Sequence, residues 1–139
     1  MDTPQEQPGP GTGARAAVVL AAVVVAAEAL ALLTFAALDL ASVSSGRLAL
    51  GIGTSLFFVV YGGGQLVAAW GLLRLRSWSR GPVLFTQLIQ LGLAWNLRGT
   101  GTPLAPFLVV AAVVVLGCLL NRPVLRAFEA ADPPDPHTV

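Results

Sequence analysis

AAVVLAAVVVAAEALALLTFAAL, residues 16–38, is an apolar run of 23 residues broken by a single carboxylate, Glu28. A bilayer hydrocarbon core of about 30 Å is crossed by about 20 helical residues, each rising about 1.5 Å. The run is therefore long enough for a membrane-spanning helix. A secretory signal peptide has an apolar region of only about 7–15 residues behind a basic segment. Here Arg15 follows a segment that contains Asp2 and Glu6, so a retained first span is expected.

Three further apolar runs follow. Residues 48–73 form the second, and the basic turn RLRSWSR (74–80) closes it. The third occupies about 81–97, with Pro82 in its first turn, where a missing N–H is harmless. The fourth occupies about 104–120, opened by Pro103 or Pro106 and closed by Asn121-Arg122-Pro123. Backbone polar groups in lipid must be satisfied within the segment, so each run is read as helix. The expected fold is all-α: a polytopic membrane protein, with a four-transmembrane-helix bundle and short loops, over residues 15–130. Residues 1–14 and 131–139 are rich in Pro, Gly and polar side chains and are expected to be disordered tails. Residues 123–130 are too short to span. They are read as an interfacial segment with Val124, Leu125 and Phe128 in lipid and Arg126 and Glu129 in water.

Composition agrees with this plan. Apolar residues make up 55% of the chain and charged residues 11%, against about 25% charged in soluble domains. Mean hydropathy is +0.78. All 8 basic residues are arginine, and they flank the apolar runs instead of forming a basic face, which excludes nucleic-acid binding. With four spans, Arg15, Arg74, Arg76, Arg80, Arg122 and Arg126 fall on one side, and Arg47 and Arg98 on the other. The arginine-rich side is expected to be cytoplasmic and to hold both termini of a cell-membrane protein. Trp70 and Trp78 then anchor the inner interface and Trp95 the outer one.

Glu28 is the residue that demands an explanation, because a charge near the bilayer centre is costly. No basic residue shares its depth, so the expected answer is a neutral, hydrogen-bonded acid. Tyr61 and Gln65 are four apart, and Gln87 and Gln90 three apart, so each pair shares a helix face. At about 1.5 Å per residue from the inner ends, Glu28 and Tyr61 lie at about 18 Å, Gln90 at about 13 Å, Gln65 at about 12 Å and Gln87 at about 9 Å. These five form a candidate intramembrane polar cluster. Its three readings are interhelical hydrogen bonding, a proton or cation site, and an interface with a partner chain.

Gly62, Gly63 and Gly64 each cost about 1 kcal/mol relative to Ala in a helix. The alanine-rich first helix predicts that close helix packing offsets this. Cys118 stands alone and His137 has no ligand partner nearby, so no metal, cofactor or catalytic set is expected. The partners expected are the lipid bilayer and a membrane protein or second copy of the chain.

The stretch LLRLRSWSRGP (72–82), with Gln87 and Glu28, resembles small four-helix bacterial membrane proteins of uncharacterised function over residues 15–128. That resemblance implies the fold and no activity. The glutamate in helix one also resembles that of the small multidrug-resistance exporters, which implies that Glu28 alternately holds protons and a cationic drug in an antiparallel dimer. The strong arginine asymmetry departs from what such dual-topology dimers need. The leading expectation is a structural or accessory, non-enzymatic membrane component. The alternative is a small proton-coupled transporter using Glu28.

Overall fold

The computed structural model describes residues 11–42, 48–99, 101 and 103–131. Among them the regular elements are helical: α1 (Thr12–Ala41), α2 (Leu48–Leu73), a 3-10 turn (Ser77–Ser79), α3 (Arg80–Leu97), α4 (Leu104–Leu119) and α5 (Arg122–Ala131). The expected tails at 1–10 and 132–139, and the loop segment 43–47 with Arg47, lie outside the described residues. Two expectations at the ends of the first span are corrected. Thr12 to Ala14 belong to α1 and not to a tail, and α1 runs on through Asp39, which had been read as loop. Ala, Leu and Arg propagate helix well, and nothing between Thr12 and Ala41 breaks it.

Two helices are long and apolar enough to cross a membrane: α1, with 30 residues, and the Gly51–Leu73 part of α2, with 23. A third qualifies if α4 and α5, bent by 58° at their junction, count as one broken span. By itself α4 has 16 residues, about 24 Å at 1.5 Å per residue. The 18-residue α3 carries Arg80, Gln87, Gln90 and Asn96, which lower its hydropathy.

Helices α1 and α2 form an antiparallel hairpin. Ser55 meets Asp39, while Gly62, further along α2, lies against Ala29 and Leu33, further back along α1. The interior is built from small residues: Ala14, Val18, Ala21, Ala22 and Val25 of α1 pack on Ala68, Ala69 and Leu72 of α2, with Val83, Val115 and Leu119 completing the cluster. Large apolar side chains point outward, with Phe35 63% and Phe107 65% exposed, while Gln87 is fully buried. This is the reverse of a water-soluble fold.

Helix α5 departs from its interfacial reading. Val124 and Phe128 are buried in the protein core and not in lipid, because the 58° bend folds α5 back beneath α1 and α4. Leu125 is half-buried, and Arg122, Arg126 and Glu129 stay exposed. The guanidinium of Arg80 lies 5.2 Å from the Phe128 ring centre.

The turn after α2 is tightly made. Leu75 adopts a left-handed backbone, φ 52°, a conformation that costs a non-glycine residue about 1–2 kcal/mol. It lets the Leu75 N–H donate to the Leu72 carbonyl at 2.9 Å and the Arg76 N–H to the Gly71 carbonyl at 3.0 Å. These bonds satisfy the terminal carbonyls of α2, and the Leu75 side chain packs on the core. Ser79, fully buried, donates to the Arg76 carbonyl at 2.6 Å. A methyl group on Gly71 would sit 2.7 Å from Ser79 Cβ.

Gly71→Ala is therefore expected to lower stability by about 1–3 kcal/mol through overpacking. Gly63→Ala, where a methyl meets nothing within 4 Å, is expected to be neutral or stabilising by up to about 1 kcal/mol. Unfolding in mixed micelles titrated with dodecyl sulfate, followed by helical circular dichroism, checks the pair. Equal effects at the two positions would contradict this packing.

Candidate functional site

Glu28 lies midway along α1 and is half-buried. Its Oε2 accepts a hydrogen bond from Gln87 Nε2 of α3 at 3.1 Å. The Gln90 side chain, one turn further along α3, is a second polar neighbour of the carboxyl. Helix α1 packs mainly on α2 and α4, and α3 mainly on α4. The Glu28–Gln87 bond thus links two helices that otherwise share little contact.

Gln65 joins the same layer from α2. The hairpin register that pairs Ser55 with Asp39 and Gly62 with Ala29 and Leu33 puts Gln65 level with Glu28. Gln65 is buried, and neither of its side-chain amide atoms has a hydrogen-bond partner. The Oε1 atoms of Glu28, Gln87 and Gln90 are likewise buried without a partner. An unpaired buried polar atom costs about 1–3 kcal/mol. Chemically the layer is rich in acceptors: of the five oxygens of one carboxyl and three carboxamides, four are unpaired, and Gln65 Nε2 adds an unpaired donor.

Tyr61 does not enter the layer. It is half-buried and stacks on Phe57, with ring centres 5.8 Å apart and planes at 12°. Phe57 is 61% exposed. Tyr61 does share the four-residue spacing with Gln65, but it shares the same spacing with Phe57, and the aromatic pair draws the ring to the outer edge. Of the expected five residues, the structure brings together Glu28, Gln87 and Gln90, while Gln65 is buried at the same height on α2 without a hydrogen bond to them.

The triple glycine is not uniform. A methyl on Gly62 would sit 3.1 Å from the Ala29 carbonyl oxygen and 3.1 Å from Leu33 Cγ, whereas Gly63 and Gly64 face open space. Close approach rests on Gly62. The three tryptophans are exposed and lie at helix ends. Arg74 covers Trp70 at 4.8 Å and Arg98 covers Trp95 at 3.6 Å, which are cation–π contacts. Trp78 packs against Gly71.

Two contacts escaped the sequence reading. Ser55 Oγ donates to Asp39 Oδ2 at 3.1 Å, a bond hidden by reading Asp39 as loop. Arg80, which the sequence marks for orientation and a generic attraction to anionic lipid headgroups, has a buried Nε without a hydrogen-bond partner beside its contact with Phe128. Cys118 is half-buried with a free thiol, and among the described residues no three His, Cys, Asp or Glu side chains gather as a metal site.

No protein-family model matches the chain. Neither a curated protein nor a solved structure matches it significantly.

Glu28→Gln keeps an acceptor oxygen for Gln87 and is expected to cost less than about 1 kcal/mol. Glu28→Ala strips Gln87 of its one partner and is expected to cost about 1–3 kcal/mol. The same micellar unfolding measurement ranks the two variants, and equal losses would contradict the bond's role.

Proposed function

We propose that the chain is a multi-pass membrane protein of four transmembrane helices, with both termini in the cytoplasm, and that it acts as a structural or accessory component and not as an enzyme. The observation that carries this reading is the distribution of polarity: Ser55, Gln65, Gln87 and Gln90 are buried among alanine, valine and leucine, while large apolar side chains such as Phe35, Phe57, Phe85 and Phe107 cover the outside. Water would penalise such a surface, whereas lipid accepts it and favours small and polar residues between helices. In this reading α3 and α4 join α1 and α2 as spans, their shorter lengths completed by the turns that carry Trp78, Trp95 and α5.

The arginines support the orientation. Arg15, Arg74, Arg76, Arg80, Arg122 and Arg126 come from helix ends at one side of the bundle, and the sequence leaves Arg47 and Arg98 for the other. Glu28, bonded to Gln87, then ties α1 to α3 inside the bilayer. A second reading, proton-coupled export of a cation through Glu28, draws support from the unpaired oxygens of Glu28 itself and of Gln65, Gln87 and Gln90. The accessory reading is preferred because Glu28 is already engaged by Gln87.

In a Cys118→Ser background, single cysteines at Gly13, Ser77 and Ala131 are expected to react with an impermeant maleimide only in inside-out vesicles. Cysteines at Ser42 and Gly101 are expected to react only in intact cells. Labelling of positions 77 and 101 from the same side would remove α3 as a span. In proteoliposomes carrying a pH gradient, no Glu28-dependent movement of ethidium is expected. Ethidium counterflow that Glu28→Gln abolishes would replace the accessory reading with the transporter.

A further inference from the structure

A groove of about 360 Å³ opens at the arginine-rich end, remote from the polar layer. Its rim carries Arg15 from α1 and Arg74 from α2, and its floor is apolar, made by Val18, Val19, Leu73 and Leu75. We propose that this groove binds the headgroup phosphate of one anionic phospholipid, with an acyl chain lying along the floor. The proposal rests on the membrane reading above.

The charges suit a phosphate. Guanidinium is a planar donor fork that grips phosphate oxygens with paired hydrogen bonds. Neither Arg15 nor Arg74 has a carboxylate partner among the described residues, and no acidic side chain lines the groove. The Arg74 guanidinium is held over the Trp70 ring, so less ordering is needed when an anion arrives. The first turn of α1 also opens here without an acidic residue or a side-chain cap, which adds positive potential at its free N–H groups.

The floor selects a lipid over a free anion. Val19 and Leu73 are each about half exposed on the outer face of the hairpin, so the groove opens sideways onto the surface that the bilayer covers. A headgroup at the arginine rim leaves its acyl chain against Leu73, next to Arg74, and Val19, one turn deeper than Arg15. The other four arginines of this end are placed differently: Arg76 is exposed and does not line the groove, Arg80 covers Phe128, and Arg122 and Arg126 project from the exposed face of α5. Sequence alone offers only a generic basic end, because Arg15 and Arg74 are 59 positions apart.

The test uses the full chain, extracted from carbonate-washed membranes in mild detergent. Native mass spectrometry reads its retention of phosphatidylglycerol against phosphatidylcholine. One phosphatidylglycerol per chain is expected, preferred about thirtyfold, the scale set by two basic residues at a membrane surface. Arg15→Gln with Arg74→Gln is expected to abolish the preference. Val19→Trp, which fills the floor without touching charge, is expected to do the same. Arg122→Gln with Arg126→Gln, an equal loss of charge at the same end, is expected to leave it intact. Equal losses in both arginine pairs, undiminished binding in Val19→Trp, or displacement by millimolar inorganic phosphate would overturn the lipid site. A chain retained in washed membranes that shows no lipid preference overturns this proposal alone. A chain absent from those membranes overturns the membrane reading and this site with it.

Discussion

The architecture hangs on how closely α1 and α2 approach. Gly62 has no side chain where the Ala29 carbonyl and Leu33 need space, and alanines and valines line the contact below it. A methyl group at Gly62 would sit 3.1 Å from the Ala29 carbonyl oxygen and from Leu33 Cγ, so the facing helix would have to give by a few tenths of an ångström. The close approach fixes the register that pairs Ser55 with Asp39 toward one end. At the opposite end the same economy of space recurs, where Gly71 admits Ser79 and the turn into α3. Dispersion between closely apposed small residues is a sufficient adhesive when the surrounding medium is as apolar as the side chains.

That register determines what the interior can hold. It brings Gln65 level with Glu28, while α3 delivers Gln87 and Gln90 on one face. The result is a polar layer in a core otherwise made of alanine, valine and leucine. Polar groups in such surroundings gain from being bonded and lose when orphaned, so they specify which helices meet and at what height. Glu28 and Gln87 do this for α1 and α3, which depend on α4 for most of their mutual placement. At the arginine-rich end, α5 turns back under the bundle and seats Phe128 beneath Arg80, so the end is closed by an apolar plug edged with charge.

Much of this was legible in the sequence, because helix ends are written in local chemistry. Pro82, Pro103 and Pro106 mark helix starts, and Asn121 to Pro123 mark the break before α5. Glu28, Gln65, Gln87 and Gln90 stood out because polar side chains in apolar runs are costly and therefore few. What stayed hidden depends on contacts between distant segments. The four-residue rule groups Tyr61 equally with Gln65 and with Phe57, and only packing chooses. Gly62, Gly63 and Gly64 are chemically identical, and only the facing helix distinguishes them. The apolar stripe of α5 suits lipid and protein alike until the 58° bend is known. Leu75 gives no local sign of its left-handed backbone, a place where glycine is usual.

The central claim is that a hydrogen bond between Glu28 and Gln87 joins α1 to α3 within the interior of the bundle. A double-mutant cycle with Glu28→Ala, Gln87→Ala and the double variant, measured by reversible unfolding in lipid–detergent bicelles, tests it most directly. The account predicts a favourable coupling of about 0.6–1.7 kcal/mol, the range found for hydrogen bonds between membrane helices. A coupling indistinguishable from zero, with the two single losses simply adding, would contradict it.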